Sequence, residues 1–270
     1  MLKHLTTTRI SLAAGTALLA LAASALPALA TPGDLYVSNF SNNTIVRITP
    51  GGAASVFAST GLNSPYGLTF DASGNLYAAN NSNNTIVRIT PGGAASVFAS
   101  SGLNGPAGLA FDIGGNLYAA NAGNSTIERF APGGAASVFA STGLINPFGL
   151  AFDASGNLYA ASSSNNTIER FTPGGVASVF ASTGLNSPTG LAFDIGGNLY
   201  AANAGNNTIE RFTPGGAASV FATGPITPFF LAFEPAGAPP PSAVPEPASA
   251  ALLALGLGGL GAVRRRRRTA

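Results

Sequence analysis

The middle of the chain alternates short apolar runs with clusters of turn-forming residues. In one representative stretch, apolar runs occupy residues 108–111, 116–120, 126–130 and 135–139. Gly, Pro, Asn and Asp separate these runs, and short apolar runs bounded in this way are typical of β-strands. We call the four runs strands a, b, c and d. Together they predict a small antiparallel sheet.

The same stretch recurs at a fixed interval along the chain. The motif Gly-Asp/Asn-Leu-Tyr appears every 41 residues, starting at Gly33, Gly74, Gly115, Gly156 and Gly197. Four short strands in a repeat of this length are typical of one blade of a β-propeller. A helical solenoid of the same period would need longer apolar runs with fewer Gly and Pro breaks. The fold class is therefore predicted to be all-β, a propeller of four-stranded blades.

The order of the strands predicts how many blades there are and how the ring closes. Four complete units span residues 65–101, 106–142, 147–183 and 188–223. The array begins at strand b and finishes with an extra strand a at residues 229–233. Three strands at the start and one at the end make one further blade. We therefore expect a five-bladed ring, closed by this last strand a pairing beside residues 34–38.

The composition excludes most catalytic constellations. The chain has no Cys and a single histidine, His4, and only 8% of its residues are charged. A thiolate zinc site, a cysteine nucleophile and, once residues 1–30 are removed, any imidazole base are therefore excluded. Between residues 31 and 243, five Arg stand against five Asp and four Glu, a net charge of −4 that argues against a nucleic-acid partner. We predict no catalytic residue, metal or cofactor.

Both ends of the chain have the composition of targeting segments. Residues 1–30 join a basic start to an apolar stretch and a final Ala-Leu-Ala, typical of a signal peptide removed by signal peptidase. The predicted propeller domain spans residues 31–235, and a Pro-rich spacer follows at residues 236–243. The uncharged stretch 248–263, about 24 Å long as a helix, can only just cross a membrane. The arginines after it would stay cytoplasmic, which leaves the propeller outside.

The segment 244–270 resembles a PEP-CTERM sorting signal, which has a Pro-Glu-Pro motif, a short apolar helix and a terminal arginine run. The matching residues are Pro245, Glu246, Pro247, Arg264, Arg265, Arg266, Arg267 and Arg268. The resemblance implies that an exosortase removes the tail after transient membrane anchoring by the helix. It also implies delivery to the cell surface or extracellular matrix of a Gram-negative bacterium. A permanent membrane anchor is the alternative.

The repeat itself resembles the NHL repeat and related bacterial propellers over residues 33–234. Their Pro-x-Gly before strand a, Asp-x-x-Gly in the next turn and Leu-Tyr-x-Ala in strand b are matched at residues 106–108, 112–115 and 117–120. Two departures remove the charged pair of these relatives: Asn or Ser replaces their Asp after strand b, and Thr replaces their Arg before the Ile of strand c. The resemblance implies the fold and does not specify one function.

The candidate ligand-binding residues lie on the face of the ring that carries the d-to-a and b-to-c connections, which we call the top face. They are Tyr66, Phe148 and Thr189 between the Pro and Gly at the start of strand a, Phe229 in the last copy, and Asn80, Asn121 and Asn203 after strand b. Aromatic rings and neutral amides suit glycan or protein ligands, through stacking and hydrogen bonds, and do not suit acid–base catalysis. Variation without function at loop positions is the alternative.

The opposite, bottom face collects most of the charged residues of the repeat. Asp34 lies there with the acidic residues that end strand a, and each strand c contributes an arginine. The acidic residues ending strand a are Asp71, Asp112, Asp153, Asp194 and Glu234, and the arginines are Arg47, Arg88, Arg129, Arg170 and Arg211. Turn Asp residues commonly bond their own backbone. The arginines would pair with these carboxylates or bond carbonyl oxygens, and so orient neighbouring blades. A calcium ring and a ring of arginines for a charged ligand are the alternatives.

Two classes of function are consistent with these observations. The first is an exported, non-catalytic propeller that binds a glycan or a protein or packs into a surface matrix. The second is an enzyme, because lactonase and virginiamycin B lyase propellers have similar repeats. The resemblance implies a divalent metal held by Glu, Asn and Asp in the lactonases and a histidine in the lyase. Neither set of residues can be mapped onto this sequence, so we expect no enzymatic activity.

Overall fold

The protein is described here from a computed structural model, which covers residues 34–224, 228–229 and 231. Its regular secondary structure in these residues consists of strands. In chain order the strands are β1 (Leu35–Asn39), β2 (Thr44–Ile48), β3 (Ala54–Ala58), β4 (Pro65–Phe70), β5 (Leu76–Asn80), β6 (Thr85–Ile89), β7 (Ala95–Ala99), β8 (Pro106–Phe111), β9 (Leu117–Asn121), β10 (Thr126–Phe130), β11 (Ala136–Ala140), β12 (Pro147–Phe152), β13 (Leu158–Ser162), β14 (Thr167–Phe171), β15 (Ala177–Ala181), β16 (Pro188–Phe193), β17 (Leu199–Asn203), β18 (Thr208–Phe212) and β19 (Ala218–Thr223).

These strands form five antiparallel sheets, which are the five blades of a propeller. Blade 1 contains β1 to β3, and the strands β4–β7, β8–β11, β12–β15 and β16–β19 form blades 2 to 5 in chain order. In blades 2 to 5, the strands a of successive blades contact one another. Strand a is therefore the innermost strand of each blade and strand d the outermost. The predicted fold class, with its 41-residue blades, is confirmed.

Each blade packs on the next through one repeated aromatic contact. The ring of Tyr77 in strand b lies 5.1 Å from Phe98 of its own blade and 5.0 Å from Phe111 of blade 3, edge-on in both cases. Tyr118 and Tyr159 repeat this arrangement in blades 3 and 4. Edge-to-face packing is favoured by the ring quadrupoles. A single blade has no such partner for its faces, so the blades depend on their neighbours.

The inner strands approach one another so closely that the glycine of Pro-x-Gly is required. A Cβ placed on Gly108 would overlap the carbonyl oxygen of Phe148, and one on Gly67 would overlap that of Ala107. Gly149 faces the Thr189 carbonyl in the same way. Backbone atoms cannot move aside as a flexible side chain can. The glycines therefore allow the narrow centre of a five-bladed ring.

The strand that would complete blade 1 lies mainly outside the described residues, so its pairing stays a prediction. The edge of β1 exposes 55% of Leu35, whereas the equivalent Leu76 in blade 2 is fully buried. The hydroxyl of Thr189 donates to the carbonyl oxygen of Pro228 at 3.2 Å. This contact places Pro228 beside the inner strand of blade 5, where a strand completing blade 1 would begin. The predicted signal peptide, spacer and sorting segment also lie outside the described residues.

Candidate functional site

Two aromatic side chains from non-adjacent blades meet at the centre of the top face. Tyr66 and Phe148 occupy the middle position of Pro-x-Gly in blades 2 and 4, and their ring centroids lie 6.5 Å apart. A third ring, Phe40, lies 5.7 Å from Tyr66. We call Phe40, Tyr66 and Phe148 the aromatic rim. Phe40 is 57% exposed, and the other two rings are partly exposed, so the rim presents aromatic surface to solvent.

Phe40 is a candidate residue that the sequence reasoning missed. It follows strand b in the first unit, where the later units have the smaller residues Asn81, Ala122, Ser163 and Ala204. That departure from the repeat was the available signal. Comparing only the residue between Pro and Gly could not detect it, because the ring comes from a different turn.

The other two predicted strand-a candidates differ in their surroundings. Phe229 is 47% exposed. Thr189 is only 3% exposed, and its hydroxyl is shared between the carbonyl oxygens of Ala202 and Pro228, both at 3.2 Å. Thr189 therefore offers little surface to a ligand. Its contacts hold strand a of blade 5 against its neighbours.

The three predicted amides are buried and fully engaged in holding the top connections. Asn121 accepts from the backbone N–H of Asn104 at 3.2 Å, and its amide donates to Gly102 O at 2.8 Å and Thr126 Oγ1 at 3.1 Å. Asn80 and Asn203 repeat this pattern. All three side chains are inaccessible to solvent. These amides therefore offer no surface to a ligand, and a neutral Asn–Thr hydrogen bond stands where the NHL resemblance implies a charged pair.

We expect Asn121→Ala to lower the free energy of unfolding by about 2–3 kcal/mol, because it leaves buried backbone groups without partners. Urea denaturation monitored by circular dichroism measures this loss. Asn121→Ser is the matched control, since Ser162 at the same position of blade 4 still accepts from Ile145 N at 2.7 Å. The serine variant should lose about half as much. Lost ligand binding with unchanged stability would instead make Asn121 a ligand residue.

On the bottom face, the four described Asp residues that end strand a bond their own turns, as the sequence predicts, whereas Asp34 lies against Arg47 and Glu234 lies outside the described residues. Oδ1 of Asp71 accepts from the backbone N–H groups of Ser73 and Asn75, both at 2.9 Å, and Oδ2 accepts from the Asn75 amide at 2.8 Å. Burial alone would raise the pKa of Asp71, but these hydrogen bonds hold it below its usual value. Asp112, Asp153 and Asp194 bond their following Asn in the same way. The carboxylates are therefore committed to the turns.

Of the two contacts predicted for the strand c arginines, direct pairing with a carboxylate is found at Arg47 among the described residues. Arg47 Nε lies 3.4 Å from Asp34 Oδ2. Among the described residues, the other four arginines form no ion pair within 4.0 Å. A tyrosine replaces the direct contact: the hydroxyl of Tyr118 donates to Asp112 at 3.4 Å and also interacts with Arg129. Burial raises the pKa of Tyr118, so it stays a neutral donor.

A cavity of about 500 Å³ opens on the bottom face between blades 3 and 4. Ile113, Arg129, Phe152, Asp153 and Pro173 are among its lining residues. Its carboxylates belong to the turn networks. Within the described ranges, no group of three or more His, Cys, Asp or Glu residues could hold a metal ion. The arrangement offers apolar contact and one exposed guanidinium.

The comparisons with solved structures identify propellers of several functions. A chain of the nidogen/laminin complex is 27% identical, with a TM-score of 0.67 over 73% of this chain and 80% of that one. A catalytically inactive histidine-to-alanine variant of virginiamycin B lyase from Staphylococcus aureus, with quinupristin, is 23% identical, with a TM-score of 0.62 over 71% and 67%. A gluconolactonase from Xanthomonas campestris is 21% identical, with a TM-score of 0.65 over 74% and 75%. None of the curated proteins matches the chain.

Two sequence families match the chain in separate segments. Residues 243–268 match the PEP-CTERM protein-sorting motif, so the protein is exported, is anchored in the membrane before processing, and is processed by an exosortase. Across the residues that the structure covers, no helix is long and apolar enough to span a membrane. The virginiamycin B lyase family matches residues 16–238. With this match over most of its length and a five-bladed propeller as its fold, the chain belongs to the virginiamycin B lyase family.

Proposed function

We propose that this protein is a non-catalytic binding module at the bacterial surface or in the extracellular matrix, and that it holds a glycan or a protein at the aromatic rim. The observation that carries the proposal is the cluster of Phe40, Tyr66 and Phe148 at the centre of the top face. The blades act as a scaffold that positions three rings contributed by three different blades. Export and exosortase processing would deliver this face to the outside of the cell.

The rim has the chemistry of a stacking platform. Aromatic rings bury large apolar areas against sugar rings or apolar side chains, and the tyrosine hydroxyl adds a polar contact. Binding sites of this kind combine an apolar surface with a few polar groups that fix orientation. The 27% identity to a chain of the nidogen/laminin complex supports a protein ligand, since that similar chain is part of a protein–protein complex.

The enzymatic alternative lacks the residues that its chemistry needs. The inactive lyase variant carries alanine in place of a histidine, and the single histidine of this chain, His4, precedes the whole propeller. In the described part of this chain, the turn carboxylates are hydrogen-bonded to their own turns. Binding without catalysis therefore accounts best for the exposed rings.

The test is ligand binding by the full chain and by a Tyr66→Ala/Phe148→Ala variant. Arrays of surface glycans and of surface-protein peptides identify the ligands that the full chain binds. The variant should bind these ligands with affinity lower by about tenfold or more, because two stacking rings are removed. Ile113→Ala/Ile195→Ala is the matched control, since both isoleucines are exposed on the bottom face. This control should bind as the unmodified protein does.

Three outcomes would contradict the proposal. Equal loss in both variants would mean that apolar exposure in general, rather than the rim, holds the ligand. Absence of any retained glycan or peptide would leave a structural role alone. Lactonase activity that disappears with EDTA and returns with Ca²⁺ would establish the enzymatic alternative.

A further inference from the structure

We propose that the outermost strands of the blades pair with the outermost strands of other copies of this chain, so that the protein assembles edge to edge. The interface is formed by strands β3, β7, β11, β15 and β19, which we call the outer edges. This inference is independent of ligand binding at the aromatic rim, because the outer edges lie at the opposite end of each sheet from strand a.

Each outer edge is a strand with a neighbour on one side only. Within the described residues, β7 pairs with β6 and β11 pairs with β10, and each then ends its sheet. The peptide groups on the other side point away from the sheet and have no strand partner. Such a row of N–H and C=O groups is a template for an added strand.

The outer edges lack the side chains that usually prevent pairing. Each reads Ala-Ser-Val-Phe-Ala, without a charge or a proline. The central valine is 60–63% exposed in every blade. A bulge in the ladder to strand c falls near the end of the strand and leaves residues such as 136–138 in regular register. The bulge and the short length of the strand protect the edge in part, where lysine or proline is the common device.

A second copy is the occupant that these edges fit. Two Ala-Ser-Val-Phe-Ala strands, paired antiparallel about their centres, place Val138 opposite its own equivalent and Ala136 opposite Ala140. Every blade presents the same five residues, so any edge of one molecule matches any edge of another. β-branched residues directly opposite each other stabilise antiparallel pairs.

The nearest charges do not prevent this pairing. In strand c, Arg129 lies opposite Ser137, and every blade repeats this placement. Glu128 lies opposite Val138, and blades 4 and 5 repeat it, but this side chain is buried within its own molecule. Arginines of two copies would be separated by three strand spacings, about 14 Å, which exceeds the screening length of about 8 Å at physiological salt. Their repulsion is therefore weak, and the edges themselves carry no charge.

The small size of each edge determines the kind of assembly. One pair of five-residue strands buries far less than the area of about 1,200–2,000 Å² typical of a stable interface. A single contact is therefore transient. Five edges around one ring give many weak contacts at once, and multivalency converts these into lasting association. The expected product is an open network that grows with concentration.

The experiment compares two sets of three lysines in the full chain, kept in one non-ionic detergent. Val97→Lys/Val138→Lys/Val179→Lys places a charge on three outer edges. The control Ile113→Lys/Val176→Lys/Ile195→Lys adds the same charge at exposed apolar positions outside the strands. Sedimentation velocity over a range of concentrations measures assembly. The C-terminal segment and the detergent contribute equally to all three proteins.

We expect the unmodified protein and the control to form a series of species that grow with concentration. The edge variant should require a concentration about tenfold higher for the same degree of assembly, because the edges act together. A monomer at every concentration in the unmodified protein would overturn the proposal. Equal loss in both variants would attribute assembly to net charge and would also overturn it.

A cysteine substitution tests the same contact without adding charge. The chain has no Cys, so a single Val138→Cys change provides one thiol. Edge pairing about this residue should bring two such thiols together, and oxidation should give covalent dimers faster than with Val176→Cys, which lies in the turn before β15 of blade 4. Equal rates would exclude the proposed register.

Discussion

Gly108→Ala is expected to lower the free energy of unfolding by about 3–5 kcal/mol, one of the largest losses from a single methyl group in this protein. The added Cβ would overlap the carbonyl oxygen of Phe148 in the next blade. Backbone must move to relieve the overlap, and that movement separates two inner strands. Urea denaturation of the full chain, monitored by circular dichroism, measures the loss.

Gly133→Ala is the matched control for this change. No atom lies within 4 Å of a Cβ placed on Gly133, and its backbone lies outside the left-handed region. Alanine there should leave stability unchanged or raise it by up to about 1 kcal/mol, through lower entropy of the unfolded chain. Equal stability of the two variants would mean that the inner strands have room for a side chain.

Glu128→Val is expected to raise the free energy of unfolding by about 1–3 kcal/mol at pH 7. Glu128 is only 5% exposed, and it packs against Gly102 of the connection into its own blade, 2.9 Å from the position of a Cβ. The same position of blade 2 holds Val87, which is also buried and lies against Gly61. An apolar side chain therefore already fits the equivalent position of another blade.

The pH dependence of the Glu128→Val difference identifies its cause. Burial raises the pKa of Glu128, so the folded state favours the protonated acid. The stability that the protonated acid contributes is present below the unfolded pKa of about 4.3 and is lost as the pH rises through the folded pKa. The advantage of valine should therefore be small near pH 4 and should reach its full value only above the folded pKa. Both proteins keep the same turn Asp residues, whose effects cancel in the difference.

The reverse change, Val87→Glu, controls for packing. It should destabilise blade 2 at pH 7 and do so less in acid, because it adds the same buried acid at the equivalent position. Glu169→Val should give a smaller gain than Glu128→Val, since Thr167 donates a hydrogen bond to Glu169 at 2.9 Å. A valine advantage that does not vary with pH would assign the effect to shape alone.

The fold could be predicted because period and turn chemistry act locally and are repeated. The 41-residue interval and the four apolar runs define each blade. The number of blades follows because the repeat array starts at strand b and ends with an extra strand a. The turn Asp residues were predictable for the same reason, since an Asx turn involves only a few neighbouring residues.

The candidate site was predicted only in part because it depends on distances between blades. Tyr66 and Phe148 are two units apart in sequence, and their contact follows from the narrow ring centre rather than from any local motif. The burial of the amides could not be predicted either, because a buried and an exposed Asn have the same place in a sequence pattern. Asn121 is buried because the d-to-a connection packs over the end of strand b, where Gly102 accepts from its amide. The contact of Tyr118 with both Arg129 and Asp112 was missed because these residues come from three different strands or their ends.

The crowded glycines at the centre of the ring constrain how this gene can change. Near-identical units recombine readily with one another, and loss or gain of one 41-residue unit would keep the sequence in register at the joint. Loss would force the inner backbones closer together, where Gly108 and its equivalents already leave no space. Gain would widen the centre and relieve that contact. We therefore expect natural length variants of this protein to carry extra units far more often than missing ones.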